Sequence, residues 1–285
     1  MRYAIISDIH GNLPALTSVF DDLEQRNVDT IICLGDVVGY YADSHAVIAY
    51  LRDRLREQPY QTGEHTTHGP LWLSGNHEYG LLNKISTQNF SEVARMTLDQ
   101  TRRELSEDAQ AFLASLPQTI DLQLTSELCA TFVHATPSDP VGVSGYIEST
   151  EDARLAIEEL RSQLCIVGHT HRPGIFHATN RTIGNIRLWK QINIGRHFPD
   201  SLATPIPLPL PAVINSGSVG QPRDGDNRAS YGILDVTQEL PTLTIYRVAY
   251  NIDETIKRIR SWLQDQPDTF WDSPSSLSQR LKQGL

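Results

Sequence analysis

No stretch of this sequence approaches the roughly 20 consecutive apolar residues that a helix needs to cross a bilayer, which argues against a membrane protein. Room for a cleavable leader is also lacking, because Tyr3-Ala4-Ile5-Ile6 already reads as a core strand and Asp8 follows directly. The expected location is therefore the cytoplasm. Basic residues are in the minority, 24 Lys and Arg against 34 Asp and Glu, for a formal charge of −10. Duplex nucleic-acid binders usually present a basic face to the phosphates, so the charge argues against nucleic acid as the partner. It does not argue against a phosphorylated small molecule, since bound cations would restore positive charge locally.

Cysteine is scarce as well. Cys33, Cys129 and Cys165 sit in apolar runs and read as small buried hydrophobes rather than as thiolate ligands or a disulfide framework. With 39% hydrophobic and 20% charged residues, the 285-residue chain has the composition of an ordinary globular protein, long enough for a sizeable core.

What is present is a regular alternation. An apolar run at 2–7 is followed by a helical pattern from Leu13 to Gln25, with Asn12 as N-cap and Leu16, Val19, Phe20 and Leu23 at helical spacing. A second run, Thr30 to Leu34, precedes a helix capped by Asp43 or Ser44 and extending to Arg56. A long helical region restarts at Ser106 and ends at Pro117, and Ser149 to Asp152 has capping-box spacing for a helix to about Ser162. Strands are expected at 119–124, 129–133, 174–178, 186–194, 212–215, 230–236 and 242–249, and an amphipathic helix at Ile252, Ile256, Ile259 and Leu263. Strand–helix alternation of this kind makes an α/β protein with a mostly parallel sheet. Pro199 to Pro211 holds five prolines in 13 residues and reads as an extended surface loop.

Five of the ten histidines stand in short blocks, each just after an apolar run: Asp8-Ile9-His10, Gly35-Asp36, Gly75-Asn76-His77-Glu78, His134, and Gly168-His169-Thr170-His171. The runs are Arg2 to Ser7, Thr30 to Leu34, Leu71 to Ser74, Cys129 to Val133 and Leu164 to Val167. In extended chain, residues two apart leave the same side, so Asp8 with His10, and His169 with His171, can each meet one ion. Oxygen and imidazole donors without sulfur suit Mn, Fe, Zn or Ni. Asp36 can reach between two ions. Asn76 is a neutral ligand that leaves the pair electropositive toward phosphate. Two cations about 4 Å apart clamp phosphate oxygens and make hydroxide available at neutral pH, and His77 is placed as general acid for the leaving oxygen.

These five blocks, in this order, resemble the calcineurin-like metallophosphoesterase family, and Asn215 to Arg223 resembles a segment of its small bacterial and archaeal phosphodiesterase-like branch. The resemblance implies an α/β fold, a four-layer α-β-β-α sandwich with mixed sheets. It implies one ion on Asp8, His10, Asp36 and His171, a second on Asp36, Asn76, His134 and His169, and His77 as the catalytic histidine. The implied reaction is in-line attack of a metal-bridging hydroxide on a small or nucleotide-like phosphate diester. A nuclease, a phosphomonoesterase and a non-catalytic scaffold are the alternatives. The Asp-Arg-Gly continuation of the protein phosphatases and dinucleoside tetraphosphatases is missing, since the chain runs Asp36-Val37-Val38-Gly39-Tyr40. Glu78 stands as either an assistant to His77 or a structural residue.

Outside the blocks, Arg223 is the candidate substrate contact, with pairing to Asp224 or Asp226 as its bland alternative, and Asn76 is counted with it as substrate-facing. Arg172, Arg181, Arg187, Lys190 and Arg196 lie in a stretch without acids. They are expected on a hairpin flap, part of an insertion at 172–212, bordering the site; alanine at Arg187, Lys190 and Arg196 would then raise KM. His65 and His68 are assigned to a solvated polar loop and His45 to a helix's first turn, and His177 and His197 are also set apart from the ligands. The organisation expected is one domain over 1–285 with a C-terminal helical tail at 251–285.

Overall fold

The computed structural model describes residues 1–55, 57–62, 65–183, 186–194, 203–266, 270–271 and 276–285. Its strands in chain order are β1 Arg2–Ile6, β2 Thr30–Cys33, β3 Glu57–Thr62, β4 His65–Pro70, β5 Thr119–Gln123, β6 Cys129–Val133 and β7 Leu164–Val167. They continue as β8 Gly174–Ile183, β9 Ile186–Asn193, β10 Ile206–Pro207, β11 Ala212–Asn215, β12 Ala229–Asp235 and β13 Thr242–Val248. The helices are α1 Leu13–Leu23, α2 Ser44–Arg54, α3 Asn76–Leu81, α4 Glu92–Glu104, α5 Glu107–Ser115, α6 Thr150–Glu158, α7 Ile252–Trp262 and α8 Leu277–Gln283.

Two sheets form, one ordered β10-β13-β12-β1-β2 and the other β4-β3-β5-β6-β7-β11-β8-β9. Side-chain alternation along β1 makes the layers. Ala4 and Ile6 pack with Leu16, Val19 and Ile48 of α1 and α2. Tyr3 and Ile5 face inward, joining Phe132, Ile166 and Ile214 of the larger sheet. On that sheet's far side Val133, Cys165, Val167 and Val213 pack against Ala153 and Ala156 of α6. Helices, sheet, sheet and helix are the four layers expected. Burying each strand on both faces explains why these strands read as continuous apolar runs rather than alternating ones. Local signals held where chemistry demanded them. Asn12 accepts from Ala15 N, Ser106 from Ala109 N, and Ser149 with Asp152 forms a reciprocal capping box.

The mostly parallel sheet expected from strand–helix alternation does not form: β1 and β2 are parallel, as are β6, β7 and β11, but the other paired strands are antiparallel because the later part of the chain returns by hairpins. The C-terminal ends of the parallel strands therefore open on one side, which is what brings the ligand blocks together. The Leu71 to Ser74 run is not a full strand. Only Trp72 bridges, to Cys33, and Ser74 N turns instead to the Pro117 carbonyl.

Two other expectations fail. His65 to His68 is not loop but edge strand β4, paired with β3. Threonines at 66 and 67 favour a strand, and an edge position tolerates the polar composition that suggests a loop. The proline stretch is not simply surface. Ile206 pairs with Leu243 and Leu208 is fully buried, while Pro205, Pro207 and Pro209 face out. The period of two is that of a strand, and proline is accepted on a sheet edge where no ladder donor is needed. Pro199, at the start of that stretch, lies outside the described residues, as do Arg196, His197 and Arg56.

The expected flap at 172–212 is described only in part. Its described part is the β8–β9 hairpin, which adds to the free edge of β11 from Ala212↔His177 to Asn215↔Gly174. Ile175 enters the core between the sheets and Phe176 packs toward α6. Backbone and apolar side chains are thus committed to the sheet, and none of the described residues of 174–194 lines the cleft that holds the ligand blocks. Among the described residues no helix is long and apolar enough to cross a membrane.

Candidate metal centre

Asp8, His10, Asp36, Asn76, His77, His134, His169 and His171 are all buried; Asp36, Asn76, His77, His169 and His171 line one cleft, and Asp8, His10 and His134 stand beside them. Three triads have donor atoms within 4.8 Å of one another: Asp8, His10 and His171; His10, Asp36 and His77; and Asp36, His134 and His169. Asp36 thus belongs to two of them. Its Oδ2 lies 3.9 Å from His10 Nε2 and 3.2 Å from His134 Nε2, while Oδ1 accepts from the His77 backbone N–H at 2.8 Å.

The spacing argument fails for His169 and His171. They turn to different triads, His171 to Asp8 (3.2 Å) and His169 to Asp36 and His134. The reason is local. Asp8, His10, Asp36, His169 and His171 all have φ between 51° and 65°. A left-handed residue breaks the two-residue alternation of extended chain, so each ligand is aimed separately. Side chains other than glycine adopt this conformation at a cost of order 1–3 kcal/mol each, and such strain gathers at functional sites.

The surrounding chain locks these orientations. Nδ1 of His10, His134 and His171 hydrogen-bonds with the carbonyls of Val38, Leu34 and Gln221, leaving each Nε2 to face the centre. Segment 215–221 braces the Asp8 and His171 loops. Val219 N and Gly220 N donate to the Ser7 and Asp8 carbonyls, Ser218 Oγ donates to Asp8 O, and Asn215 Nδ2 donates to Gly168 O. Gly75 is required by a close approach, because a Cβ there would sit 2.3 Å from Asp36 Oδ1.

Electrostatics follow from burial beside opposite charge. Burial alone would raise the Asp8 and Asp36 carboxyls, but His171 beside the first and His134 and His77 beside the second hold both well below the usual carboxylate range. Burial lowers His134, yet Asp36 outweighs it and lifts the ring to about 9. Burial dominates at His169 and His77, pushed down to about 3 and about 4, and it also holds His10 low.

The donor set can be tested for cations directly. Asn76 Oδ1, His169 Nε2 and His77 Nδ1 are buried and have no hydrogen-bond partner among the described residues, while Asp8 Oδ1 and His134 Nε2 have only their contacts at 3.2 Å with His171 Nε2 and Asp36 Oδ2. An orphaned buried polar atom costs about 1–3 kcal/mol. Two of the three orphaned atoms, on Asn76 and His169, belong to expected ligands that line the cleft, and with the clustered Asp8, Asp36 and His134 donors they fit divalent cations.

Glu78 does not reach His77's ring. Its Oε2 accepts from Asp36 N and Gly75 N and its Oε1 from Val37 N and Val38 N, tying the Asp36 loop to the start of α3. Burial, and then the Asp36 charge, push its carboxyl up to about 7 against those donors. Its part is structural. Glu78→Gln would set an NH2 group against two of these N–H donors and should cost about 3 kcal/mol, read as a lower urea midpoint at unchanged slope.

Arg223 lines the cleft, with Nη2 on Gln221 Oε1 at 2.8 Å. The acids that might have claimed it are engaged elsewhere, Asp224 with Arg247 and Asp226 with Arg228. Sequence reasoning missed the rest of the lining: Tyr40, Asn89, Phe90, Ser91 and the 142–146 loop with Tyr146. Tyr40 and Phe90 pack on the His77 ring at 4.9 and 5.3 Å between centroids. The only signal for the loop was its Gly-Val-Ser-Gly-Tyr composition. The cysteines stay away from the chemistry, with the Cys33 and Cys165 thiols buried and pushed up by that burial.

Residues 1–239 match the family described as calcineurin-like phosphoesterase superfamily domain. An uncharacterised protein of Methanocaldococcus jannaschii is 32% identical over 260 residues, 90% of each chain. The crystal structure of a metallophosphoesterase from Sphaerobacter thermophilus is 30% identical, with a TM-score of 0.69 over 100% of this chain and 99% of that one. A hypothetical protein from Pyrococcus horikoshii OT3 shares the fold at 16% identity, with a TM-score of 0.67 over 100% and 98%.

Proposed function

Because the chain belongs to the calcineurin-like phosphoesterase superfamily, we propose that its cleft is the active site of a phosphodiesterase that works with two divalent cations on a small or nucleotide-like phosphate ester. The observation that carries this reading is the convergence of three buried triads, two of them sharing Asp36, with the unpartnered Asn76 and His169 atoms beside them. Asp8, His10, Asp36 and His171 would hold one cation, and Asp36, Asn76, His134 and His169 the other. Nitrogen and oxygen donors of this kind suit Mn, Fe, Zn or Ni. When bound, the pair supplies Lewis-acid polarisation of phosphoryl oxygens and a nucleophile at neutral pH.

The protein's own residues do the remainder. The Arg223 guanidinium reaches the cleft and orients the phosphate by charge-assisted hydrogen bonds. Among the described residues it is the one Lys or Arg in the lining, which suits the single negative charge of a diester better than the two of a monoester. His77 stands on the floor with Nδ1 unpartnered. Burial holds the free ring neutral; an anionic ester nearby raises its basicity so that it takes up a proton as the ester binds, and the imidazolium can pass that proton to the departing oxygen and return to the neutral ring. Packing by Tyr40 and Phe90 replaces a carboxylate partner in fixing the ring.

Arg223→Ala is expected to raise KM for anionic esters about tenfold with little change in kcat, the loss of roughly 1.5 kcal/mol from one charged hydrogen bond. Steady-state kinetics on bis-p-nitrophenyl phosphate checks it. The same assay tests the reading as a whole. Protein supplied with Mn²⁺ should hydrolyse that diester at least about tenfold faster than p-nitrophenyl phosphate, a difference of ~1.4 kcal/mol. Inertness to both, with metal bound, would contradict an enzyme and favour a scaffold.

A further inference from the structure

The metal-facing floor uses only part of a cleft of about 340 Å³. That volume is at the lower end of small-molecule sites and leaves room for a substituent beyond the phosphate. Two segments that contribute no ligand complete the cleft, Asn89 to Ala94 at the start of α4 and Gly142 to Tyr146 in the loop after β6. In the second, Tyr146 is 49% exposed and Val143 is 48% exposed, an unusual pair of uncovered apolar groups beside a polar floor.

Tyr146 is held in place. One ring face stacks on His169, with centroids 4.2 Å apart and planes 26° apart. Its loop is pinned by Asp139, whose carboxylate accepts from Val143 N, Ser144 N and Gly145 N. Gly142, at φ +82°, lets the backbone lie against the metal centre, since a Cβ there would be 3.0 Å from His169 Nε2. A rigid, half-exposed phenol ring beside a phosphate site offers a stacking surface at little entropic cost. Asn89, Ser91 and Ser144 offer polar groups in the same lining.

We propose that Tyr146 is a specificity-determining residue, and that the ester group carried on the phosphate is a planar aromatic ring, aryl or nucleobase, stacked on its exposed face. This rests on the phosphodiesterase reading and narrows its substrate class. Nothing in the metal centre requires the ring. A tyrosine that served only to cover His169 would show no preference between flat and non-flat substituents.

The test uses full-length, metal-loaded protein and needs no turnover. Calorimetric affinities are measured for phenylphosphonate, cyclohexylphosphonate and methylphosphonate. Phenylphosphonate should bind about tenfold tighter than methylphosphonate, and several-fold tighter than the cyclohexyl compound, on the scale of a single aromatic stack. Tyr146→Ala should erase the preference and Tyr146→Phe should keep it, with metal content by mass spectrometry unchanged in both. Equal affinities for phenyl and cyclohexyl, or loss of metal from the alanine variant, would overturn the proposal. Sources are separated by kcat/KM for three diesters with the same p-nitrophenolate leaving group, bearing methyl, p-nitrophenyl or thymidine 5′ substituents. Preference for thymidine identifies a nucleoside ester, and equal gain for both rings identifies an aryl one. Failure of all three diesters alongside intact phenyl selectivity would sink the phosphodiesterase reading and leave the stacking surface standing.

Discussion

Asp36→Asn should abolish metal binding at the shared position and lower kcat/KM by on the order of a thousandfold, the kinetic equivalent of about 4 kcal/mol. The substitution is nearly isosteric and can keep the Oδ1 contact with the His77 backbone N–H. It removes the negative charge that lies between His10 and His134, 3.9 and 3.2 Å away. Neither set of neutral imidazoles is then balanced by the shared carboxylate. The metal-free fold should lose some stability, because the ionised Asp36 is held low by His134 and His77 and in turn holds the His134 proton. The signature is therefore loss of metal and turnover in protein whose circular dichroism still reports the folded state at the assay temperature. A variant that loses turnover while keeping both ions would show that Asp36 is not shared between them.

His77→Ala should separate the other way. Metal content stays at two ions per chain and kcat falls by on the order of 10² to 10⁴, the usual range for a positioned proton donor. The leaving group sharpens the test. A p-nitrophenolate departs without much help, whereas an alkoxide needs a proton, so the loss should be greatest for diesters with simple alcohol leaving groups. His77's ring is buried among His10, Tyr40 and Phe90, so the alanine leaves a cavity and some loss of stability. An equal loss for both leaving groups would assign the effect to that disturbed packing, and loss of metal would make His77 a ligand.

The sequence carried most of the metal centre because its information is one of residue type and order. Asp8, His10, Asp36, Asn76, His134, His169 and His171 each follow an apolar run, and parallel strands open at one end. What it did not carry was direction. Extended-chain spacing sent His169 and His171 to one ion, and left-handed φ values at both sent them to different triads. The role of Glu78 was undecidable from adjacency to His77, since its partners are backbone N–H groups some 40 residues away in sequence. Charge patterning misled at the basic hairpin. Arg187 and Lys190 lie on an edge strand whose place is set by the free edge of β11 and by apolar packing, not by their charge. Composition misled again at Leu208, where five prolines hide the period of two that buries it. The cleft's outer part, from Phe90 to Tyr146, comes from segments with no motif, and only the fold brings them to the ligand blocks.

The most direct measurement is metal stoichiometry by mass spectrometry on protein equilibrated with Mn²⁺, in the wild type and in His169→Ala and His171→Ala. Two proposed sites that share Asp36, one holding His171 and the other His169, predict two ions per chain in the wild type and one in each variant. One ion in the wild type, or the loss of both from either variant, would contradict two sites with separate histidines.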